Sequence, residues 1–207
     1  MTDSAPERLA RQVGFILEID KLKRIVRRTY LTDRTRREND AEHSWHLAVM
    51  AMLLSEYATE ASLDVPKVIK LVLVHDLVEI DAGDTFCYDE AAHADKAERE
   101  QAAADRIFDL LPPDQGSELR ALWEEFEARR TGEARFAAAM DRLQPLLHNY
   151  HTQGLAWREH GVTADRVLAR NRHMAEGAPA LWDYAERFIR DAVERGYLAP
   201  PQKHPDR

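Results

Sequence analysis

Residues 68–84 read VIKLVLVHDLVEIDAGD, and the fold turns on whether this stretch is a buried strand or a buried helix. An apolar run fits either, so length and boundaries must arbitrate. The run continues without a breaker through Glu79, is preceded by Asp64 as a candidate N-cap with Pro66 in the first turn, and meets Gly83 as a terminator. These features predict one buried helix over 64–83. It carries His75, Asp76 and Glu79 into apolar surroundings, where an unpaired charge is costly. Asp84 follows at the helix end, where a loop residue can reach a pocket.

The same periodicity runs outward from this stretch. Apolar residues recur at spacings of three and four, and eight glycines interrupt 207 residues, so the chain reads as all-α. A first helix is expected over 6–27, with Leu9, Val13, Ile16, Leu22 and Ile25 facing inward, followed by a loop over 28–40. A second spans 41–61, with His43, Leu47, Met50 and Leu54 on one stripe. Further helices are expected over 91–111, 117–130, from Glu133 past Asp141, 163–176 and 178–195. Pro145 should bend the segment that carries Asp141. Trp45, Trp123, Trp157 and Trp182 fit packing positions, and the apolar residues near Trp182 and Phe188 could pack within the chain or across a dimer.

A net charge of −8 excludes general binding to a nucleic-acid polymer, which needs a basic surface. One cysteine, Cys87, cannot close an internal disulfide and has no neighbouring base to mark it as a nucleophile. No apolar run approaches the roughly 20 residues needed to cross a bilayer. With no secretory signal in MTDSAPERLARQ, a cytoplasmic location away from membranes is expected.

His43, the pair His75 and Asp76, and Asp141 all sit in apolar helical segments. Neutral imidazoles and carboxylates are ligands for a divalent transition metal, and two of each leave positions open for water and substrate. Singly, each is better explained as a hydrogen-bonded core residue or a cap. The neighbourhood of the pair changes that balance, because Glu79 lies four residues after His75 and three after Asp76 and so shares their face. Asp81 reads as a solvated or capping carboxylate, His46 as surface and His151 as exposed. No second cluster of histidines and carboxylates is evident, which favours a single ion.

Residues 36–48, RRENDAEHSWHLA, residues 73–85, LVHDLVEIDAGDT, and residues 139–150, AMDRLQPLLHNY, carry a resemblance. The order H, HD, D resembles the HD superfamily of metal-dependent phosphohydrolases, and the flanks look closest to its bacterial 5′-deoxynucleotidases. The resemblance covers about residues 9–149. It implies a single HD-type helical bundle over 1–207, with a core at about 9–150, C-terminal helices at 163–195 packed on it and a polar tail at 198–207. It implies one divalent ion (manganese, cobalt, magnesium or iron) on His43, His75, Asp76 and Asp141, catalysis by Glu79, and substrate contact or catalysis by Asp84. A homodimer is also implied.

Substrate charge needs its own partner. Residues 21–37, KLKRIVRRTYLTDRTRR, hold eight basic residues against one acid, Asp33. The resemblance selects Arg28, fifteen residues before His43, as the substrate contact. The family has tryptophan after that arginine, where this chain has Thr29, so preference for deoxyribose does not carry over. Thr85 stands in the expected substrate loop. His148 shares a face with Asp141 if the helix continues through Pro145, and is a further candidate. The expected activity is removal of the 5′-phosphate of nucleoside or deoxynucleoside monophosphates by a metal-activated water. The alternatives are hydrolysis of another phosphate ester or nucleotide, or a non-catalytic nucleotide-binding module.

Overall fold

Helix α1 (Ala5–Ile19) and a 3-10 turn at Asp20–Arg24 lead into an antiparallel hairpin, β1 (Val26–Tyr30) and β2 (Arg37–Asn39). The remaining regular elements among the described residues are helices, chiefly α2 (Asp40–Leu54), α3 (Val65–Val74), α4 (Glu79–Ala82), α5 (Lys96–Phe108), α6 (Pro113–Ala128), α7 (Gly132–His151), α8 (Leu155–Glu159), α9 (Ala164–Asn171), α10 (Met174–Gly177) and α11 (Pro179–Glu194). This computed structural model describes residues 4–89 and 94–202. The start of the helix expected at 91, residues 1–3 and the tail end at 203–207 lie outside the described residues. The all-α class is as expected, and among the described residues no helix is long and apolar enough to cross a membrane.

One continuous apolar cluster fills the centre. Helices α2 and α7 both pack on α3, whose Val68, Leu71 and Val72 are fully buried. α7 buries Ala134, Ala137, Ala138 and Ala139, small residues that let neighbouring elements approach its axis. It runs unbroken through Pro145. Gly177 permits another close approach, because a Cβ there would strike the Arg135 carbonyl of α7.

The helix expected over 64–83 forms in two pieces. Asp64 caps α3 by accepting from the Lys67 N–H at 3.0 Å, as its sequence position suggests. After Val74 the bonding tightens: Leu77 N–H donates to Val74 O, and Glu79 N–H to Asp76 O. These are i→i+3 bonds. A 3-10 turn eclipses side chains three apart, so Asp76 and Glu79 point to one side of the turn, where they form a close group with Asp40. Gly83 ends α4 at φ +74°, a region where a Cβ is unfavourable.

Three expectations need correction. The face of α1 predicted to turn inward is largely outside: Leu9, Val13 and Ile16 are exposed, while Phe15 and Leu22 enter the core. α1 lies at the edge, held by polar contacts in which Arg11 donates to the carbonyls of Asp109, Leu110 and Leu111 after α5. Hydrophobic spacing defined the helix but not the side facing its neighbours. Second, the expected loop at 28–40 is mostly hairpin, with Val26 opposite Asn39 and Tyr30 opposite Arg37. Third, Trp45 is 64% exposed, whereas Trp123, Trp157, Trp182 and Phe188 are buried within the chain.

The two kinds of glycine predict opposite responses. Gly14 lies in the exposed middle of α1 with nothing near its absent Cβ, so Gly14→Ala should stabilise by about 0.5–1 kcal/mol. Gly177→Ala should destabilise by roughly 1–3 kcal/mol or more, as overpacking against backbone does. Equilibrium urea unfolding measures both, and equal changes would contradict the packing described.

Candidate metal centre

The N-terminus of α2 begins the site. Asn39 accepts from the Glu42 N–H at 3.0 Å, and the Glu42 carboxylate accepts in return from the Asn39 N–H. This capping box starts the helix at a fixed residue. Asp40 and His43 consequently face the core, and both are fully buried. α3 delivers His75 at its C-terminus, the tight turn delivers Asp76, and the middle of α7 delivers Asp141.

Two imidazoles converge on one carboxylate. His43 Nε2 lies 3.0 Å and His75 Nε2 3.8 Å from Asp141 Oδ1, with Asp76 Oδ1 3.0 Å from His75 Nε2 and Asp76 Oδ2 4.0 Å from His43 Nε2. The far ring nitrogens set the tautomers. His75 Nδ1–H donates to the Val72 carbonyl at 2.9 Å, and His43 Nδ1–H donates to Gln144 Oε1 at 3.1 Å. Each Nε2 therefore turns a lone pair toward carboxylate oxygens. Lone pairs facing carboxylates repel, and a shared proton or a cation is what reconciles them. His75 Nε2 has no hydrogen-bond partner. His43, His75 and Asp141 thus form a group able to hold a metal ion.

Charge points the same way. Asp40, Asp76 and Glu79 form a second close group, and Glu38 and Asp84 lie beside them. Arg27 is their main counter-ion, at 3.1 Å from Asp40 Oδ1, 3.0 Å from Asp76 Oδ2 and 3.8 Å from Glu38 Oε2. One guanidinium cannot balance them. Burial, followed by the Asp76 charge, raises Asp40 to about 7, and burial raises Glu38 to about 7 against the pull of Arg27. Burial with the Asp76 and Asp40 charges pushes Glu79 well above its usual range, and burial raises Asp84. Burial opposes the charged form of His75, but the Asp76 and Asp141 carboxylates override it and carry its pKa to about 10. These shifts all register a local deficit of positive charge. The donor set and the charge both fit a divalent cation.

A cavity opens onto these groups, lined also by Arg28, Thr29, Thr85, Phe86 and Tyr88. The structure brings His43, His75, Asp76, Glu79, Asp84 and Asp141 together. Arg28 lines the cavity from an exposed position, with no ion pair among the described residues, and Thr29 lines it buried. Asp81 faces away and pairs with Arg106 at 2.9 Å. His151 is exposed. Cys87 also lines the cavity, and burial raises its pKa, so it is held as a thiol.

His148 does not line this cavity. Seven residues beyond Asp141 along α7 is about 10 Å at 1.5 Å per residue, and Gln144 stands between. There His148 joins Glu38 and His46 in a third close group, so a second cluster of histidines and carboxylate exists where the sequence shows none. His46 is half-buried, its ring 5.5 Å from that of His148. Gln144 Nε2 lies at the centre, 2.6 Å from Glu38 Oε1, 3.2 Å from His148 Nε2 and 3.3 Å from His46 Nδ1.

Sequence reading missed two residues of this site. The resemblance selects Arg28, and nothing in the sequence marks Arg27 beside it. In a strand, alternate residues share a face, and β1 turns Arg27 and Thr29 inward while Val26 and Arg28 face out. Gln144 carried no signal beyond a polar residue three after Asp141. Its amide orientation is forced, because an amide oxygen against the Glu38 carboxylate would repel. Its oxygen therefore faces His43 and fixes the tautomer of that ring.

Comparison with known proteins places this geometry. A family model described as an HD domain matches residues 19–182. Human 5′-deoxynucleotidase HDDC2 is 33% identical over 134 residues, 64% of each chain, and the Xenopus laevis protein of the same name is 33% identical over 64% of this chain and 65% of its own. The match spans just under two thirds of those relatives. A crystal structure of a predicted metal-dependent phosphohydrolase from Magnetospirillum magnetotacticum MS-1 is 56% identical, with a TM-score of 0.90 over 95% of this chain and 99% of that one.

Gln144→Leu should weaken metal binding by about 10–100-fold, the usual cost of losing the partner that orients a ligand. Competition with a chromogenic chelator measures it, with far-UV circular dichroism to verify the fold. Unchanged affinity in a folded variant would exclude the orienting role.

Proposed function

Because this chain belongs to the HD-domain family, we propose that its cavity is the active site of a metal-dependent phosphomonoesterase that releases phosphate from nucleoside 5′-monophosphates. The observation that carries this reading is the convergence of two imidazole lone pairs with the Asp76 and Asp141 carboxylates, with Glu79 aligned with Asp76 by the 3-10 turn. The name 5′-deoxynucleotidase borne by the human relative supports the nucleotide class.

His43, His75, Asp76 and Asp141 would hold one divalent ion, with manganese, cobalt, iron and magnesium as candidates. Such an ion supplies Lewis acidity, polarising a phosphoryl oxygen and lowering the pKa of a coordinated water toward about 7. The other tasks fall to the chain. Glu79 and Asp40 are joined by a side-chain hydrogen bond that raises Glu79 and lowers Asp40, so the shared proton rests on Glu79 and passes to Asp40 before Glu79 acts as a base. Glu79 Oε2, buried without a partner, orients the attacking water and takes its proton. Attack on phosphorus breaks the bond to the sugar 5′-oxygen, which receives as it leaves the proton that Glu79 took from the water. Arg28 approaches the phosphate, its fork matched to phosphate oxygens. Asp84 contacts the sugar, and Phe86 and Tyr88 offer aromatic surface to the base. Thr29 stands on the cavity wall where the family has tryptophan, which supports turnover of ribo- and deoxyribonucleotides alike.

Chelator-stripped protein resupplied with each metal in turn should release phosphate from a panel of both kinds of monophosphate. Absence of metal-dependent release from every member would sink the reading. Glu79→Gln should retain the ion while turnover falls by about 10²–10⁴-fold, whereas Asp76→Ala should lose the ion itself. Equal loss of metal in both variants, measured by elemental analysis, would refute their separate roles.

A further inference from the structure

Behind Asp141 a second chamber adjoins the metal cavity. The two share Lys96, Phe126, Glu127, Asp141, Arg142 and Arg170, and the second adds Arg129 and His173. It contains neither His43 nor His75 in its walls, nor Asp76, Glu79 or Asp84. Four cationic side chains from four places in the fold meet there: Lys96 from the start of α5, Arg129 from the end of α6, Arg142 from α7 and Arg170 from α9.

Their partners do not account for them all. Lys96 pairs with Glu100, and Arg142 pairs with Asp141 at 2.7 Å. The Arg129 and Arg170 side chains have no ion pair or hydrogen bond among the described residues, and Glu127 is the remaining acid on the wall. Burial and then the Arg142 charge lower the pKa of Arg170. Burial, Arg142 and Arg129 lower His173 to about 4, so that ring is neutral. Exposed arginines are ordinarily solvated and need no partner. These stand in a concave chamber continuous with a phosphate-handling cavity, in a chain of net charge −8. Two guanidinium groups left without an ion pair beside two paired cations give the wall a surplus of positive charge that suits an anion, and guanidinium forks match phosphate and carboxylate.

We propose that this chamber binds a second anionic group of the substrate, so that the preferred substrates are phosphomonoesters carrying a further phosphate or carboxylate. The metal cavity takes the scissile phosphate. Arg170 and Arg129 grip the second group, and Arg142 stands between the two. The substrate class rests on the phosphomonoesterase reading, but the anion site itself does not.

Two measurements test these parts separately. Titration of inorganic phosphate into the manganese-loaded protein, followed by calorimetry, should find a site that persists when the metal is chelated. Arg170→Gln should weaken that site by roughly tenfold or more, the worth of a charge-assisted hydrogen bond. No metal-independent site in the wild type, or one indifferent to Arg170, overturns the proposal even if no ester is hydrolysed. In the kinetic arm, kcat/KM is compared for a nucleoside 5′-monophosphate, the corresponding 3′,5′-bisphosphate and 3-phosphoglycerate. Preference by about tenfold for either doubly anionic ester, lost in Arg170→Gln, supports the substrate class, and which ester is preferred identifies the second group. Equal rates in the wild type, or an equal loss on all three esters in the variant, overturns it.

Discussion

Arg27 holds Asp40 at 3.1 Å and Asp76 at 3.0 Å, with Glu38 at 3.8 Å, and the site is organised around this insufficient ion pair. Removing charges from water costs several kcal/mol per ion after relaxation, and here carboxylates outnumber the cations that could repay that cost. The structure relieves the excess through raised carboxyl pKa values and a raised imidazole pKa at His75. Each is a proton standing where a cation would serve better. The same imbalance gives the centre affinity for a divalent ion.

Rigid helices make that affinity specific in position. His43 is set by the cap at Asn39 and by the Gln144 amide, and His75 by the Val72 carbonyl. Asp141 sits on α7 among alanines that permit close packing with neighbouring elements. The tightened turn after Val74 adds Glu79 above Asp76. The change from α to 3-10 bonding therefore belongs to the site, since it aligns Glu79 with Asp76 on one side of the turn.

Some of this was legible in the chain. The run from Val68, with Asp64 before it and Gly83 after it, specified helix because local periodicity and capping act within a few residues. The order of His43, His75 with Asp76, and Asp141 was visible for the same reason: each stands out against an apolar stretch. Arg27 was not visible, because its inward direction follows from strand parity and the strand exists through its pairing with β2. His148 was misdirected, because a shared helix face says nothing of distance along the axis. The outward face of α1 shows the limit again, since spacing cannot tell which neighbour is present.

The sequence by itself determined the helical class, the helix caps and the residue types able to ligate a metal, all of which depend on short-range backbone geometry and on the intrinsic chemistry of side chains. Only the tertiary structure decided that Arg27 would be the counter-ion, that Gln144 would fix the His43 tautomer, and that Arg129, Arg142 and Arg170 would share a chamber. Those outcomes join residues far apart in the chain, and electrostatic energy depends on distance through space, which packing alone sets.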